Sequence, residues 1–461
     1  MTNQANNTKP FGMKDKIGYM FGDFGNDFTF LLSSGFMLKF YTDVMGISGG
    51  IVGALMMAAR FIDAVTDISM GQIVDRTRPT KDGKFKPWLK RMCGPVAISS
   101  FLIYQAGFAN MSYFFRVLWM IFTYILWGSI FYTSINIPYG SMASAISGAP
   151  KDRAELSTWR NIGSTLANMV IGIATPMFAY VVVDGHTILS GSRMTIIAAV
   201  FSILAIICYF LCFYLVTERV EVTANTQKLP ISTVLKHIFT NRALISIILA
   251  AILLLLAMLS MAGLNAYVFP NYYGSATAQS VSTLVSSLAI LLICAPTAPA
   301  LSAKIGKKEL SGISCILGSV VYFICFFVKP QDPYVFVIFY TIAMVAIGYF
   351  NTIIWAMITD VIDDAQIKNG IREDGTIYSA YSFARKVGQA LSSGMVGGIL
   401  SLIGYTDATA FDPAITSSIF NLSCIIPAIA LAITAVVLFF FYPLNKHTVE
   451  GNAEKLKINS R

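Results

Sequence analysis

Twelve apolar stretches run along this 461-residue chain, each long enough to cross a lipid bilayer. A helix needs about 20 residues to cross the hydrocarbon core. Because no water there satisfies exposed backbone groups, such a segment crosses as a helix. The sequence therefore predicts an all-α membrane protein with twelve transmembrane helices. The predicted spans are residues 17–42, 48–72, 92–110, 116–146, 157–183, 194–217, 243–267, 279–301, 309–328, 333–358, 376–404 and 415–442.

Charged residues are too few for a soluble protein, since they make up 12% of the chain where about 25% is usual. The turns between the predicted spans are short, so no sizeable soluble domain remains to house an active site. The chain has no HExxH motif and no cluster of metal-ligand type. Its seven cysteines lack a CxxC spacing and read as apolar packing residues. We therefore expect a protein that is not an enzyme and carries no cofactor.

Lys and Arg concentrate in alternate loops, at 75–91, 148–160, 218–242 and 303–308, and at both termini. This is the positive-inside pattern of membrane proteins. It predicts a multi-pass protein of the cell (inner, cytoplasmic) membrane with both termini in the cytoplasm. The net charge of +9 then reflects topology and contact with anionic lipids in the bilayer. We expect no nucleic-acid partner.

The longest loop between spans divides the chain into two similar parts. We predict an N-terminal six-helix bundle over 1–217 and a central cytoplasmic loop over 218–242. A C-terminal six-helix bundle over 243–445 and a cytoplasmic tail over 446–461 follow. In two-bundle carriers the substrate binds near the middle of the membrane between the halves, and we expect the same here.

Two carboxylates lie one helical turn apart in the second predicted span, ARFIDAVTDISMGQIVDRTR. Asp63 and Asp67 share one helix face, and the hydroxyl of Thr66 lies nearby. A single charge at the centre of a bilayer costs about 3 kcal/mol, so this pair must hold a positive partner: a proton, a metal ion or a basic side chain. The alternative is that Arg60 neutralises Asp63 and that Asp67 lies at the wet interface.

Further ionisable side chains occur at membrane depth in other spans. They are Asp27 in the first span, Arg160 at the start of the fifth and Lys386 in the eleventh. Each has an alternative role as a salt bridge between bundles. As a set they indicate a polar cavity whose charges compensate each other.

Polar and aromatic side chains of the same spans suit a sugar as substrate. Asn136 and Thr133 of the fourth span are able to exchange hydrogen bonds with hydroxyl groups. Tyr132 and Trp355 are able to stack on the apolar face of a pyranose. The alternative for both aromatic residues is ordinary packing or a place in the aromatic belt at the interface.

Several motifs resemble one family of transporters along nearly the whole chain, from about residue 14 to 445. The family is the glycoside–pentoside–hexuronide:cation symporters of the major facilitator superfamily. The D-x-x-x-D helix with the GKFKPW loop after it is the most specific of these similarities. The motifs are GYMFGDFGNDF, FYTDVMG, ARFIDAVTDISMGQIVDRTR, GKFKPW, TYILWG, NIPYGSM and REDGTIYSAYSFARKVGQAL.

The resemblance implies a cation site and a gating loop. Asp63 and Asp67 match the paired aspartates of the family's cation site, with Thr66 and Thr133 at neighbouring polar positions. The coupling cation is H+ or Na+, which the sequence leaves open. Asp75, Arg76 and the loop that follows them resemble the superfamily's gating motif between spans two and three.

The resemblance also implies a sugar site. Asp27 matches the acidic sugar ligand of the first helix, Arg160 the basic residue near the sugar, and Lys386 the lysine that links cation and sugar sites. Asn136 departs from members that carry an aspartate there and resembles glucuronide- and pentoside-transporting members. A hexuronide whose carboxylate pairs with Arg160 and a neutral xyloside both fit this change.

The function predicted from sequence is cation-coupled symport of a glycoside, pentoside or hexuronide into the cell by alternating access. Two alternatives remain. One is a lysolipid-type carrier of the same superfamily, which would need a wide apolar cavity. The other is a transport-inactive sugar sensor, which would keep the same site. Both are separated from the symporter by measured uptake.

Overall fold

The computed structural model describes residues 10–220, 241–369 and 374–459, which are almost entirely helical. Most of the predicted central loop at 218–242 therefore lies outside the described residues, as do residues 1–9. Twelve long helices and a tail helix, α13 Lys446–Asn459, follow one another in the described chain, which confirms the all-α prediction. The twelve are α1 Met13–Asp43, α2 Gly49–Arg76, α3 Lys86–Ile103, α4 Tyr113–Ile146, α5 Pro150–Ala179, α6 Gly191–Leu215, α7 Arg242–Tyr272, α8 Ala276–Ile305, α9 Lys307–Val328, α10 Pro333–Asn369, α11 Asp374–Leu402 and α12 Pro413–Phe441.

Eight of the described helices are long and apolar enough to cross a membrane by length and composition alone. These are α4 to α10 and α12. The other four are α1, α2, α3 and α11. Three of those four, α1, α2 and α11, carry candidate site residues.

A two-stranded sheet follows α5 and is absent from the predicted spans. Its strands are β1 Tyr180–Val183 and β2 His186–Leu189. The fifth span, predicted over 157–183, is therefore wrong at its end, because α5 stops at Ala179. The three valines before the turn favour a strand, and Asp184 and Gly185 both adopt positive φ angles, 49° and 80°. Two such residues form the tight turn that joins paired strands.

The described residues fall into two compact units. Unit 1 comprises Met1–Ile47, Ile62–Val181 and Leu189–Thr226, and unit 2 comprises Ser48–Phe61, Val182–Ile188 and Gln227–Arg461. The division passes through helix α2, between Phe61 and Ile62. The first half of α2 thus packs with unit 2, whereas the half that carries Asp63 packs with unit 1.

Glycines explain how the first half of α2 packs within unit 2. A Cβ atom on Gly53 would lie 2.8 Å from the Cα atom of Gly397 in α11 and 2.9 Å from the carbonyl oxygen of Ser393. The two helix backbones are therefore in direct contact. Small residues allow this approach in membrane helices, where packing and not the hydrophobic effect holds helices together.

A glycine also lets α5 approach α1 within unit 1. A Cβ atom on Gly163 would lie 2.5 Å from the carbonyl oxygen of Met20. The helices therefore touch along this stretch. The contact places Arg160, one turn before Gly163, beside the polar face of α1.

The chain just after α6 is tied to the loop between α2 and α3. The Glu218 carboxylate accepts hydrogen bonds from the backbone N–H groups of Lys84, Phe85 and Lys86, at 2.7, 2.9 and 2.7 Å. These N–H groups belong to the start of α3, where helix amides lack partners of their own. An anionic acceptor is favoured there by the helix dipole. We call this arrangement the Glu218 clasp.

The neighbouring Arg219 adds a second tie within unit 1. Its guanidinium contacts the Asp15 carboxylate at 2.9 Å to Oδ2 and 3.1 Å to Oδ1. The Asp15 Oδ1 atom also accepts from the backbone N–H of Thr217 at 3.0 Å. The segment after α6 is thus fixed to the start of α1 as well as to the start of α3.

Asp75 and Arg76, the predicted gating residues, end helix α2 with exposed side chains. The backbone carbonyl of Asp75 accepts a hydrogen bond from the Lys84 ammonium at 3.2 Å. The loop that follows Asp75 and Arg76 is therefore held in two ways. Lys84, near its end, bonds back to Asp75 at its start, and the Glu218 clasp holds the backbone at the start of α3. The gating role of both residues stays a prediction.

Candidate functional site

The geometry of the acidic pair depends on an irregular stretch of α4. Residues Ile125–Tyr132 form a π-helical segment inside the otherwise α-helical Tyr113–Ile146. Such wide turns shift the register of the side chains that follow and are frequent at functional sites. Here the segment contains Ser129 and ends just before Thr133, and both hydroxyl groups meet the carboxylates of α2.

Asp63 is buried and bonded to a hydroxyl of α4. The Ser129 Oγ donates a hydrogen bond to the Asp63 Oδ1 at 2.6 Å. The side chains of Asp63 and Ser129 are 8% and 3% exposed, so this contact is shielded from bulk water. Thr66 donates its own hydroxyl to the backbone carbonyl of Asp63 at 3.2 Å, so it lies beside the pair as predicted but bonds the backbone.

Asp67 has the same kind of partner one turn further along. The Thr133 hydroxyl lies 3.0 Å from the Asp67 Oδ1 and 3.2 Å from the carbonyl oxygen of Gly128. The predicted residues Asp63, Asp67 and Thr133 are therefore brought together within unit 1. We call these three residues, with Ser129, the acidic cluster.

Ser129 is the member that the sequence analysis missed. Its position relative to Thr133 is i and i+4, the same spacing that separates Asp63 from Asp67. Two hydroxyl residues one turn apart on one helix match two carboxylates one turn apart on another. That matched spacing is the signal that identifies Ser129.

The acidic cluster offers oxygen atoms only, from carboxylates, hydroxyl groups and the Gly128 carbonyl. Oxygen ligands suit hard cations, and a carboxylate also accepts a proton. In the part of the chain that the structure describes, no group of three or more His, Cys, Asp or Glu side chains is placed to hold a metal ion. The oxygen-only donor set of the cluster fits a proton or a hard cation.

Arg160 of α5 is paired with an acidic residue of α1 that was not among the predicted ligands. The Arg160 Nε lies 2.8 Å from the Asp23 Oδ1. The guanidinium also lies over the Tyr139 ring, 5.6 Å from its centroid, and the Arg160 side chain is 42% exposed. Asp23 therefore neutralises Arg160 in place of Asp27, while the outer edge of the guanidinium is left accessible.

Asp27 lies one turn after Asp23, almost fully buried at 9% exposure. The Oδ2 atom has no hydrogen-bond partner among the described residues. A buried carboxylate oxygen without a partner is costly, and a donor such as a sugar hydroxyl would remove that cost.

Asn136 takes part in an amide network between α1, α4 and α6. The Tyr209 hydroxyl donates to the Asn26 Oδ1 at 2.8 Å, and the Asn26 Nδ2 donates to the Asn136 Oδ1 at 3.4 Å. Asn136 therefore belongs to the same polar region of unit 1 as Asp27, which follows Asn26 directly. Tyr132 instead stacks between aromatic rings of unit 1, 5.6 Å from Phe30 and 5.5 Å from Trp127.

The remaining predicted residues lie in unit 2. Trp355 of α10 is 41% exposed and packs against two tyrosines of α11, 5.5 Å from Tyr378 and 4.8 Å from Tyr381. Lys386 is half-buried on α11. The predicted link from Lys386 to the acidic cluster stays a prediction.

Twelve long helices that carry an acidic cluster and buried polar side chains are typical of a multi-pass membrane transporter. The family model for MFS/sugar transport proteins matches residues 18–446, and the chain belongs to that family. Within it, the chain is a member of the glycoside–pentoside–hexuronide symporters, as its motifs indicated.

Individual relatives and structures agree with this placement. The chain is 31% identical to the "Uncharacterized symporter YjmB" of Bacillus subtilis (strain 168), over 95% of this chain and 93% of the relative. It is 29% identical to the "Glucuronide carrier protein homolog" of Escherichia coli (strain K12), over 93% and 92% of the two chains. The solved structure of the nucleoside transporter NupG shares the fold with a TM-score of 0.62 at 16% identity, covering 94% of this chain and 100% of NupG.

The predicted fold class and the prediction that the protein is not an enzyme are both confirmed by these comparisons. Sugar symport is its general function.

Proposed function

We propose that this protein carries a glycoside, pentoside or hexuronide into the cell together with a cation, H+ or Na+, by alternating access. Both termini lie in the cytoplasm and the protein resides in the cell membrane. The proposal follows the positive-inside distribution of Lys and Arg. One observation carries the coupling to a cation: Asp63 and Asp67 each accept a hydroxyl hydrogen bond from α4 at membrane depth.

The acidic cluster suits reversible cation binding. Two carboxylates one turn apart raise each other's affinity for a positive charge. The hydroxyl groups of Ser129 and Thr133 supply ligands or hydrogen bonds without adding charge. A bound cation therefore neutralises the cluster in part, and a cation-free cluster is costly to bring through an occluded state in low dielectric.

The sugar site in this proposal is built on the polar region of unit 1. Asp27 accepts sugar hydroxyl groups through its unpartnered Oδ2, with Asn136 beside it and Arg160 at the exposed edge. The sugar-binding role expected from the sequence for Lys386 and Trp355, which lie in unit 2, stays a prediction. Coupling requires that cation and sugar each raise the affinity for the other by the same factor.

The driving force is sufficient for accumulation. A membrane potential of about 100 mV supplies about 2.3 kcal/mol for one transported charge. Because a tenfold concentration ratio costs about 1.4 kcal/mol, one cation moved with one neutral sugar supports a sugar gradient of about 40-fold. A carrier that only equilibrates the sugar reaches a ratio of one.

We expect Asp67→Asn to abolish accumulation and to spare exchange. The amide keeps the size of the side chain and its bond to Thr133, but it removes one of the two charges that attract the cation. Uptake of labelled sugar in right-side-out vesicles should fall to equilibrium, while counterflow between internal and external sugar continues. Asp407→Asn, at an exposed position in the loop between α11 and α12, is the matched control. If Asp67→Asn accumulates sugar to the same ratio as the unaltered protein, Asp67 does not couple the cation to sugar transport.

The same assay distinguishes the alternatives. A lysolipid carrier takes up labelled lysolipid and ignores glycosides, and a sensor binds sugar without flux. For the symporter, alkalinisation of the medium on sugar addition identifies H+ as the coupling ion. Stimulation by Na+ without a change of pH identifies Na+.

A further inference from the structure

An apolar groove runs between helices α9 and α12 of unit 2, with a volume of about 190 Å³. We call it the α9–α12 groove. Both helices are long and apolar enough to cross a membrane, so exposed apolar side chains on them contact lipid. Within the groove, Val436 is 47% exposed and Phe440 is 74% exposed. The lining includes Ile316, Ser319 and Val320 of α9 and Ala432, Val436 and Phe440 of α12.

One stripe of α9 leads from this groove to a charged side chain. At intervals of four residues the stripe contains Lys308, Gly312, Ile316 and Val320. Residues four apart lie on the same face of a helix, one above the other. The Phe439 ring of α12 packs beside Gly312, where a Cβ atom would lie 2.5 Å from that ring. Lys308 is therefore one turn beyond this contact, at the end of the groove near the start of α9.

The first residue of α7 brings a second cation to the same end of the groove. The Arg242 Nε donates a hydrogen bond to the Phe441 carbonyl at 3.1 Å, and its Nη2 donates to the Phe440 carbonyl at 3.2 Å. These two carbonyls follow Phe439 directly at the end of α12. The Arg242 side chain is exposed, and its Nη1 has no hydrogen bond with the part of the chain that the structure describes.

The protein leaves the charges of these two cations available. Lys307, next to Lys308, is paired with Asp360 at 2.6 Å. Neither Lys308 nor Arg242 forms an ion pair within residues 10–220, 241–369 and 374–459. The Glu309 carboxylate is folded back against the turn that precedes α9. An anion is thus able to approach Arg242 and Lys308 together.

An apolar groove that ends at two available cations matches the chemistry of an acidic phospholipid. From Phe440 to Ala432 the groove follows eight residues of α12, about 12 Å along the helix axis. This length fits within one leaflet, which is about half of the hydrocarbon core. A guanidinium and an ammonium bind phosphate oxygens, and basic pockets between transmembrane helices bind acidic head groups. A second copy of the chain would cover the apolar wall but would leave the cations unmatched.

We propose that the α9–α12 groove binds one anionic phospholipid, with its phosphate between Arg242 and Lys308 and one acyl chain along the groove. This site is separate from the acidic cluster and the sugar region, which lie in unit 1. In the orientation proposed above, the lipid belongs to the cytoplasmic leaflet. Bound lipid joins the starts of α7 and α9 to the end of α12.

The first test uses the unaltered protein, purified in detergent and washed free of native lipid. It is illuminated with phosphatidylglycerol or phosphatidylcholine carrying the same diazirine-labelled acyl chain, and mass spectrometry identifies the labelled peptides. We expect phosphatidylglycerol to label residues 316–320 and 432–440 about tenfold more strongly than phosphatidylcholine, because two cations attract its net charge. Equal labelling by the two lipids overturns the proposal.

A competition experiment distinguishes a lipid from free phosphate. Unlabelled phosphatidylglycerol should displace the labelled lipid, whereas glycerol 3-phosphate, which has no acyl chain, should not. If glycerol 3-phosphate competes equally well, the site binds a soluble phosphate and the proposal is wrong.

The second test alters each half of the site. Arg242→Gln combined with Lys308→Gln should reduce labelling by phosphatidylglycerol to the level of phosphatidylcholine. Ala432→Phe, which fills the groove with a ring, should prevent labelling by both lipids. Arg91→Gln, at an exposed position of α3 in unit 1, is the control, and the amount of folded protein is measured by size-exclusion chromatography.

Each outcome supports or overturns the lipid site. If the doubly altered protein is labelled as strongly as the unaltered one, Arg242 and Lys308 do not hold the phosphate. Where the loss of the Arg242 bonds to α12 prevents folding, Lys308→Gln decides alone: about fivefold weaker labelling supports the proposal, and unchanged labelling overturns it. Cross-linked dimers that Ala432→Phe dissociates, without lipid labelling in the groove, assign the groove to a second copy. Because every readout is lipid binding, failure here leaves the proposed sugar transport untouched.

Discussion

Individual hydroxyl groups, paired one to one with carboxylates, define the acidic cluster. Ser129 bonds Asp63 and Thr133 bonds Asp67, and all four side chains belong to unit 1. Each hydroxyl is able to turn its oxygen toward a bound cation when its hydrogen is no longer needed by the carboxylate. The cation affinity should therefore depend on both hydroxyl residues.

We expect Ser129→Ala to shift the cation concentration for half-maximal transport by about tenfold or more, since a hydrogen bond to a charged group contributes about 1.5–3 kcal/mol. For Na+ the shift is upward, because the site loses an oxygen ligand. For H+ the shift is toward lower H+ concentration, because the Asp63 carboxylate loses a donor that stabilises its charged form. The KM for sugar at saturating cation should change little, because Ser129 contacts Asp63 and not the sugar region. The cation dependence of initial uptake rates measures both quantities. Ser134→Ala, on the same helix with its hydroxyl on the Ile130 carbonyl, is the control. If the cation dependence of Ser129→Ala equals that of the unaltered protein, Ser129 is not part of the cation site.

The sequence predicted the carboxylates of the site better than their partners. Asp63 and Asp67 are conspicuous because charges are rare at membrane depth. Ser129 is not, since serine is common in membrane helices. The partner of Arg160 could not be predicted either, because Asp23 and Asp27 lie one turn apart and only the approach of α5 to α1 selects Asp23.

Arg385 and Lys386 illustrate the same limit. Side chains of neighbouring residues on a helix point about 100° apart, so Arg385 and Lys386 cannot both point toward the same neighbouring helix. Lys386 was predicted as a site residue from the resemblance alone. The contact of Arg385 with the Trp355 ring depends on how α10 packs beside α11, which no local pattern records.

Among the elements, the loop between α2 and α3 depends on one distant carboxylate. The Glu218 clasp joins three N–H groups at the start of α3 to the chain after α6. A carboxylate that accepts several backbone bonds holds its loop in one conformation as long as it remains charged. Motion of this loop during transport therefore requires the clasp to open.

Glu218→Gln should loosen this loop, since the amide loses the charge and one acceptor oxygen. We expect faster hydrogen exchange at the amides of Lys84, Phe85 and Lys86, corresponding to about 2 kcal/mol less protection. Hydrogen exchange with mass spectrometry on the purified protein measures it. Glu454→Gln, exposed on the tail helix α13, is the control. Equal exchange in the two variants shows that the clasp does not hold the loop.

Helix ends were predicted less well than helices. The tenth span was predicted to stop at residue 358, whereas α10 continues to Asn369. The prediction used hydropathy, which falls where TDVIDDAQIKN begins, but this segment still consists largely of residues compatible with a helix. The fifth span shows the opposite error, because apolar valines after Ala179 belong to a strand.

For the whole molecule, hydropathy predicted the twelve long helices that the structure describes. Their grouping into bundles over 1–217 and 243–445 stays a prediction. Within unit 2, Gly53 of α2 lies in direct contact with Gly397 of α11, and no pattern within α2 alone indicates this contact. Asp63 and Asp67 lie a few residues after the point, between Phe61 and Ile62, where α2 passes from unit 2 to unit 1.

Ion-driven sugar accumulation is the property on which the proposed function depends. The most direct measurement places the purified protein in sealed proteoliposomes with sugar at equal concentration on both sides and then imposes an inward H+ or Na+ gradient. One of the two gradients should draw labelled sugar inward, to several-fold above the outside concentration, and collapsing that gradient with an ionophore should release it. If sugar enters only down its own gradient under both ions, the acidic cluster does not drive transport and the protein is not a cation-coupled symporter.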